Sequence, residues 1–452
     1  MSRYKYAELE SQINRVLLYQ QQELGKINFS YNDHLENRIS ESEALLTSLG
    51  YRLPEQVQKT PKQKLVMIVP KWESLCNEAE LAVGSSVELE SIFTAEELRD
   101  NSEAIQKLNR EFKMLHRLDR YDVTISAVAG LLGAAVDILM VGIPQRTPSG
   151  LSAGILSDFI RAEFDKRFPQ TEMEKLAQSK TSKVPYDAQD NRNTGEYVEG
   201  LSAYYHRLLS LGHDPLLGFV VGVFDILAGR MTTIDKSGKI VSQVIEGYAD
   251  RKESDIFAAL AKQLIHLKSD ITTAMGLPVP LMGLFNLLQF GSVGEEEQTI
   301  AEIVQGMYYE GYDFIHFCSM SVPTMLIEVV IRLGYAFKRI KEGFSIRESI
   351  PVSLDRGKHP KLATMLFIGH AGATAINAGK VYFTENPLAI NYPQWIAFAK
   401  YSYSQLKWVL LQKPALRECY VRSELNEELS RVLLSVDSTF EDFAKDYIVV
   451  ME

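Results

Sequence analysis

Three apolar blocks bounded by glycine constrain the fold of this chain more than any other feature. They read GAAVDILMVG (133–142), GVFDILAG (222–229) and GLFNLLQFG (283–291), and each carries one Asp or Asn. A glycine inside an apolar helix costs about 1 kcal/mol relative to alanine, so its recurrence indicates that another backbone approaches closely. The blocks therefore predict closely packed helices. The three blocks share this sequence pattern, but the irregular spacing between them does not fit a regular solenoid.

The segment IGHAGATAINAGKVYFTENP (368–387) repeats small residues at helical spacing. A phosphate-binding loop needs a glycine at position 374 and Ser or Thr at position 381, but Thr374 and Val381 stand there. We therefore predict a helix with two small-residue ridges that allow a close helix crossing. The residues expected at such contacts, within the chain or between copies in a homo-oligomer, are Gly222, Gly283, Gly369, Gly372, Ala375 and Gly379.

The predicted fold is predominantly α, a multi-helix bundle with Gly-rich apolar central helices and one small β-hairpin near 231–242. Thr94 and Glu97 form a capping-box pattern at one helix start. We divide the chain into a polar helical N-terminal region (1–118), a Gly-rich apolar helical body (119–400) and a helical C-terminal tail (401–452). The polar stretch 178–196 is expected to be a mobile loop within the body.

Composition and charge narrow the class of protein. The 452 residues carry a net charge of −10 and a pI of about 5.5, so we expect no nucleic-acid partner. Cys76, Cys318 and Cys419 are odd in number and far apart, which excludes a disulfide framework and fits a reducing compartment. No secretory signal is visible at the N-terminus. We expect a cytoplasmic or inner-membrane-associated protein.

Known catalytic and metal-binding motifs are absent from the sequence. There is no HExxH, no cysteine pair at metal spacing and no GxSxG, so neither a structural zinc site nor a nucleophile elbow is predicted, and no cofactor is expected. Asp137 and Asp225 interrupt apolar runs and need partners. Each is either a cap or a satisfied buried hydrogen-bonding group, or a functional carboxylate with a raised pKa.

Histidines supply the other weak catalytic candidates. His213 and Asp214 are adjacent in LGHDPLLG, and His206 lies seven residues earlier. Adjacent His-Asp pairs serve metal-dependent phosphohydrolases, but Asp214 followed by Pro215 is also typical of a helix N-cap. His370 lies on a small-residue face and is either a core histidine or a catalyst.

Three functional hypotheses remain open. The first is a non-enzymatic membrane-active or membrane-associated oligomer whose apolar hairpins line a pore, with a bacterial toxin or defence effector as one setting. This hypothesis is based on the segment 271–294, which carries no formal charge and is long enough to span a bilayer. Pro278 and Pro280 interrupt the segment. The second is a soluble helical binding or scaffold protein. The third is a metal-dependent hydrolase built from Asp137, Asp225 and the His206, His213, Asp214 group, which requires these residues to converge.

Overall fold

The computed structural model describes residues 6–26, 30–50, 65–148, 150–273, 275–292 and 297–451. The chain forms two compact units, 116–412 and a second unit in which 1–115 is combined with 413–452. The C-terminal tail thus belongs to the same unit as the N-terminal region. The division drawn from the sequence at 118 and 400 treats these two segments as separate.

The described residues are predominantly helical, which confirms the predicted fold class. The α-helices are α1 (Glu8–Lys26), α2 (Ser30–Ser48), α3 (Trp72–Val83), α4 (Ala95–His116), α5 (Arg120–Val136), α6 (Ile155–Arg167), α7 (Gln170–Gln178), α8 (His206–Leu209), α9 (Val221–Ala228), α10 (Ile256–Asp270), α11 (Ile300–Tyr309), α12 (Phe314–Lys341), α13 (Ile346–Ser349), α14 (Leu362–Thr384), α15 (Tyr392–Lys407) and α16 (Lys413–Asp446). The strands are β1 (Leu65–Val69), β2 (Gln145–Thr147), β3 (Gly150–Ser152), β4 (Arg230–Ile234), β5 (Ile240–Val244) and β6 (Tyr447–Met451).

The smaller unit combines α1, α3, α4 and α16 with one parallel strand pair. Val16, Cys76 and Ala79 form its buried cluster. β1 pairs with β6 in parallel, with Leu65 opposite Tyr447. The end of the tail is therefore a strand and not a continuation of the predicted helix, because apolar β-prone residues follow Asp446 and find a partner in the LVMIV run.

The larger unit contains a bundle of α5, α12, α14 and α15. Ala129, Ile331, Leu366 and Tyr401 belong to its buried core. α5 and α14 cross closely, because a Cβ added at Gly130 would lie 2.6 Å from the carbonyl oxygen of Gly369. Contact between main chains at this crossing is the feature that the small-residue ridges predict.

Only one of the two ridges on α14 faces the rest of the chain. Gly369, Ala373 and Asn377 are buried. Gly372 and Ala375 are exposed, and a Cβ added at Gly372 or Gly379 would meet no heavy atom of the described residues within 4 Å. The expected close crossing at Gly372, Ala375 and Gly379 is thus not made by the part of the chain that the structure describes. A 3.6-residue period turns the two ridges to different sides of the helix, and the neighbouring helices cover only one side.

The predicted hairpin is confirmed as β4 and β5, with Thr232 opposite Ser242. Asp235 closes the turn, since its Oδ1 atom accepts hydrogen bonds from the backbone N–H groups of Ser237 and Lys239. Gly238 supplies the positive φ of 83° that the turn requires. The hairpin packs on a second core that includes Tyr186 and Ile226, and this core holds the site described below.

The stretch 271–294 is not a continuous helix in its described part. Residues 282–287 form a short 3₁₀ helix, and residues 274, 293 and 294 lie outside the described residues. By length and composition alone, two other described helical segments are apolar enough to cross a membrane, Ala95–Val141 and Phe314–Lys341.

Candidate metal centre

Three histidines and two aspartates converge in the larger unit. His206 Nε2 and His213 Nε2 lie 3.6 and 3.7 Å from Asp187 Oδ1. His213 Nε2 and His266 Nε2 lie 3.7 and 3.6 Å from Asp270 Oδ2. Two groups of ligand atoms, Asp187/His206/His213 and His213/His266/Asp270, therefore share His213, and within each group the atoms lie within 4.8 Å of one another.

Four separate chain segments supply these side chains. His266 and Asp270 are four residues apart on α10, so both project from one face of that helix. His206 is the first residue of α8, and His213 ends a 3₁₀ turn that begins at Leu211. Asp187 comes from the segment that follows α7. The fold thus brings Asp187 and Asp270, which are 83 positions apart in the sequence, into one cluster.

The facing atoms of the cluster lack hydrogen bonds. The Nε2 atoms of His206, His213 and His266 are buried and have no hydrogen-bond partner among the described residues. Asp270 Oδ2 also accepts no hydrogen bond of good geometry from these residues, although Arg207 Nε lies 3.1 Å from it. Leaving a buried polar atom unsatisfied costs about 1–3 kcal/mol. Several such atoms around one point are the arrangement expected of ligands that face a metal ion.

The separations between histidine and aspartate atoms fit coordination of a single ion, held by either group. Two ligand atoms that bind one ion at about 2.1 Å can lie up to about 4.2 Å apart, and the separations of 3.6–3.7 Å fall below that limit. A hydrogen bond would require a shorter distance, near 2.9 Å. Imidazole and carboxylate ligands without thiolate are typical of a divalent first-row ion such as Zn²⁺, Fe²⁺ or Mn²⁺.

The ring of His206 is held in the orientation that a ligand needs. Its Nδ1 atom lies 3.0 Å from the carbonyl oxygen of Ala203. A carbonyl only accepts, so the proton is on Nδ1 and the lone pair of Nε2 points toward Asp187. Hydrogen bonds of this kind fix the tautomer of metal-binding histidines.

Arg207 and Thr273 hold Asp270 in place. Arg207 Nε lies 3.1 Å from Asp270 Oδ2, and Arg207 Nη2 donates to Asp270 Oδ1 at 3.1 Å. The Nη1 atom of the same guanidinium donates to Thr273 Oγ1 at 2.6 Å. The buried carboxylate is thereby paired with a buried cation, which offsets the cost of removing its charge from water.

Tyr186 and Gln263 form the wall behind the histidines. The ring of Tyr186 stands edge-on to His213 and His266, with centroids 5.1 and 5.4 Å apart. Its hydroxyl donates to Gln263 Oε1, and Gln263 Nε2 donates to the carbonyl oxygen of Gly212 at 2.8 Å. This chain of hydrogen bonds fixes the turn that carries His213.

Glycines make room for this wall. A Cβ added at Gly212 would lie 2.6 Å from the ring of Tyr186. At Gly222 an added Cβ would lie 2.6 Å from Gln263 Oε1, so the close contact predicted for Gly222 is made with a side-chain amide. At Gly283 it would lie 2.7 Å from the carbonyl oxygen of Leu208, which is contact with main chain.

Burial lowers the pKa of two of the histidines, and the neighbouring histidines lower the pKa of Asp187. Burial, with the positive charges of His213 and Arg207, lowers the pKa of His206 to about 4. Burial also lowers the pKa of His266. Burial alone would raise the pKa of Asp187, but the contact with His213 and the charges of His266 and His206 lower it below its usual range. Neutral imidazole and ionised carboxylate are the forms that bind metal.

The cluster reaches solvent on one side. The side chain of Asp187 is 24% exposed, whereas those of His206, His213, His266 and Asp270 are 3% exposed or less. Solvent therefore approaches past Asp187.

The other sequence candidates lie outside the cluster. Asp214 is a cap, as one of the two interpretations expected, because its Oδ1 atom accepts from the N–H groups of Leu216 and Leu217 at 2.8 Å. Its Oδ2 atom accepts from the N–H of Leu281, which has a positive φ of 64°. This bond ties the turn carrying His213 to the 3₁₀ helix 282–287.

Asp225 and Asp137 each have local partners. Asp225 accepts from the N–H and the hydroxyl of Thr232, both at 2.8 Å, and burial raises its pKa to about 6. Asp137 accepts from Asn391 Nδ2 at 2.7 Å, from Asn377 Nδ2 at 3.0 Å and from Lys380 Nζ at 3.2 Å. Both buried carboxylates therefore have hydrogen-bond donors nearby, as expected of structural residues. Neither residue belongs to the two metal-binding groups.

His370 lies in the helical bundle. Its ring stacks on Tyr401 with centroids 5.0 Å apart, and its Nε2 atom lies 3.7 Å from Glu328 Oε1. Gln394 Nε2 lies 3.2 Å from His370 Nδ1. The histidine is part of a polar network between α12, α14 and α15.

Sequence reasoning missed three of the five cluster residues. His266 and Asp270 form an H-x₃-D pattern on a predicted helix, which was a usable signal. Asp187 lies in a polar segment with several aspartates and gives no signal of its own.

Comparison of this chain with protein-family models, with curated proteins and with solved structures gave no match.

Proposed function

We propose that the protein is a metal-dependent hydrolase with its centre at His206, His213, His266, Asp187 and Asp270. The observation that carries the proposal is the convergence on two carboxylates of three histidine Nε2 atoms that have no hydrogen-bond partner in the described part of the chain. One of the two carboxylates, Asp187, is partly exposed. When bound at such a site, a divalent ion lowers the pKa of a coordinated water and polarises the bond to be cleaved.

The chain's own residues have distinct parts in this proposal. The three histidines offer their Nε2 atoms as ligands, and Arg207 balances the charge of Asp270 at 3.1 Å. Asp187 is the exposed member of the cluster, so it lies on the side from which water approaches. The wall that Tyr186 and Gln263 form behind the histidines excludes bulk water, and this strengthens electrostatic interactions inside the site.

Hydrolysis assays test this function. Purified protein loaded separately with Zn²⁺, Mn²⁺ or Fe²⁺ is assayed on bis(p-nitrophenyl) phosphate and p-nitrophenyl acetate. We expect hydrolysis that a chelator abolishes and added metal restores. His213→Gln should remove it, whereas His316→Gln, a buried histidine outside the cluster, should retain it. A protein that holds metal tightly but hydrolyses neither ester would indicate a structural ion instead.

We propose membrane association of the helical bundle as a second function. Its support is an exposed apolar stripe on α12, where Met325, Val329, Leu333 and Phe337 are 51–67% exposed at four-residue spacing. Exposed apolar patches of this kind are typical of membrane or protein interaction surfaces. Flotation with lipid vesicles tests it, since Leu333→Lys with Phe337→Lys should reduce co-flotation, and protein that never floats would contradict it.

A further inference from the structure

A cavity of about 810 Å³ lies beside the helical bundle, apart from the metal centre. It is bounded by the segment 279–285, by α11 and by residues 381–392, which join α14 to α15. Most of its wall is apolar, including Val279, Met282, Phe285, Ile303, Met307 and Ile390. Sites for small molecules typically enclose roughly 300–1,000 Å³ with apolar walls, so this cavity has the size and lining of a ligand site.

A smaller cavity of about 250 Å³ adjoins the first, and Gln298, Ile303, Met307 and Pro387 line both. Its lining differs in chemistry, because Glu302 and Glu310 contribute carboxylates and Tyr205 and Tyr309 contribute aromatic rings. Glu385 is the one charged residue among the described residues that line the larger cavity. Among the described residues that line either cavity there is no lysine, arginine or histidine.

We propose that the two cavities together bind a single-chain amphiphile with a cationic head group. The apolar cavity takes the hydrocarbon chain, and the smaller cavity takes the head group beside Glu302 and Glu310. The three lining carboxylates, Glu302, Glu310 and Glu385, outnumber the two basic side chains beside the smaller cavity, so the cavities favour a cation over an anion. Lys236 and Arg146 already lie over the rings of Tyr205 and Tyr309, so the carboxylates, and not the ring faces, supply most of the attraction.

The proposal does not rest on the metal centre. None of the five metal-binding candidates lines either cavity. Binding of an amphiphile can therefore be measured on protein with or without metal, and the failure of one proposal leaves the other standing.

Calorimetry with a matched series of amphiphiles tests the proposal. Decyltrimethylammonium, octyltrimethylammonium and decanoate are each titrated below the concentration at which they form micelles. We expect decyltrimethylammonium to bind at least about ten-fold more tightly than decanoate, because the lining is acidic. Loss of two methylenes should weaken binding by roughly 15-fold, which corresponds to about four-fold per buried methylene. Equal or tighter binding of decanoate, or no binding, would overturn the proposal.

Variants locate the site. Gly306 lies on α11 and lines the smaller cavity, and a Cβ added there would meet no described atom within 4 Å. Gly306→Leu should fill this cavity and lower the affinity for decyltrimethylammonium at least about ten-fold. Gly372→Leu, also a helical glycine with free space, is the matched control and should bind like the parent. The double variant Glu310→Gln, Glu385→Gln should lower the ratio of the affinity for decyltrimethylammonium to the affinity for decanoate. Unchanged binding by a folded Gly306→Leu protein would exclude this site.

Discussion

The Nε2 atom of His266 lies 3.6 Å from the Oδ2 atom of Asp270, one helical turn further along α10. The separation is too long for a hydrogen bond and suits two ligands of one ion. Both residues are 3% exposed or less. Helix α10 therefore presents a carboxylate and an imidazole from one face, toward two histidines from other segments.

Asp270→Asn should weaken metal binding at least about ten-fold, because it removes the charge of a ligand while keeping its shape. The matched control is Asp255→Asn on the same helix. Asp255 caps α10 by accepting from the N–H of Ala258, and asparagine is an equally good cap. Competition with a metal chelator measures both affinities, and equal values for the two variants would show that Asp270 is not a ligand.

Gly212→Ala should destabilise the larger unit by about 1–3 kcal/mol, since its Cβ would lie 2.6 Å from the buried ring of Tyr186. Gly372→Ala has free space on α14 and should be neutral or stabilising by up to about 1 kcal/mol. Urea unfolding compares the two. If Gly212→Ala were as stable as Gly372→Ala, the wall behind the histidines would not be closely packed.

Asp137→Ala should cost about 3–5 kcal/mol of unfolding free energy, because it removes the buried carboxylate that accepts from half-buried Lys380 and from the amides of Asn377 and Asn391. Asp442→Ala removes an aspartate from an exposed ion pair on α16 and should stay within about 0.5 kcal/mol of the parent. Thermal or urea unfolding measures the difference. Similar losses for both variants would contradict a structural role for Asp137.

Glu328 should make the stability depend on acid pH. Burial alone would raise its pKa, but contacts with His370, Tyr401 and Arg332 lower it to about 2, against an ordinary value of 4.5. A lowered pKa stabilises the folded state above about pH 4.5, and this contribution is lost as the pH falls toward 2. The difference corresponds to about 3 kcal/mol.

Unfolding of the parent and of Glu328→Gln between pH 2 and 7 measures this effect. The variant should lose stability less steeply below pH 4.5, since it has no carboxylate to protonate at this position. A parallel pH dependence of the two proteins would show that Glu328 is not stabilised in its charged form.

The local pattern of the sequence is enough to predict the helices and the hairpin. Asp235 and Gly238 specify a tight turn through short-range hydrogen bonding and backbone conformation. Small residues on α14 likewise indicate a close crossing at Gly369. Which ridge is covered depends on the placement of α5 and α12, and no local pattern encodes that placement.

The candidate site depends on long-range contacts that the sequence shows only in fragments. His206 and His213 are close along the chain, so the sequence alone is enough to group them. His266 and Asp270 join them because α10 packs against α9 through Gly222 and Gln263. Asp187 enters from the segment after α7, and only the folded chain shows that its carboxylate is the one that faces the histidines.

The metal content of the purified protein tests the central claim most directly. His213 is shared by both groups of ligands, so His213→Gln should disrupt both. After incubation with a divalent ion and removal of the excess, elemental analysis of the parent and of His316→Gln should find about one ion per chain. His213→Gln should retain less than about a tenth of that amount. A parent protein that retains none of Zn²⁺, Mn²⁺ or Fe²⁺, or a folded His213→Gln protein that retains as much as the parent, would contradict the account.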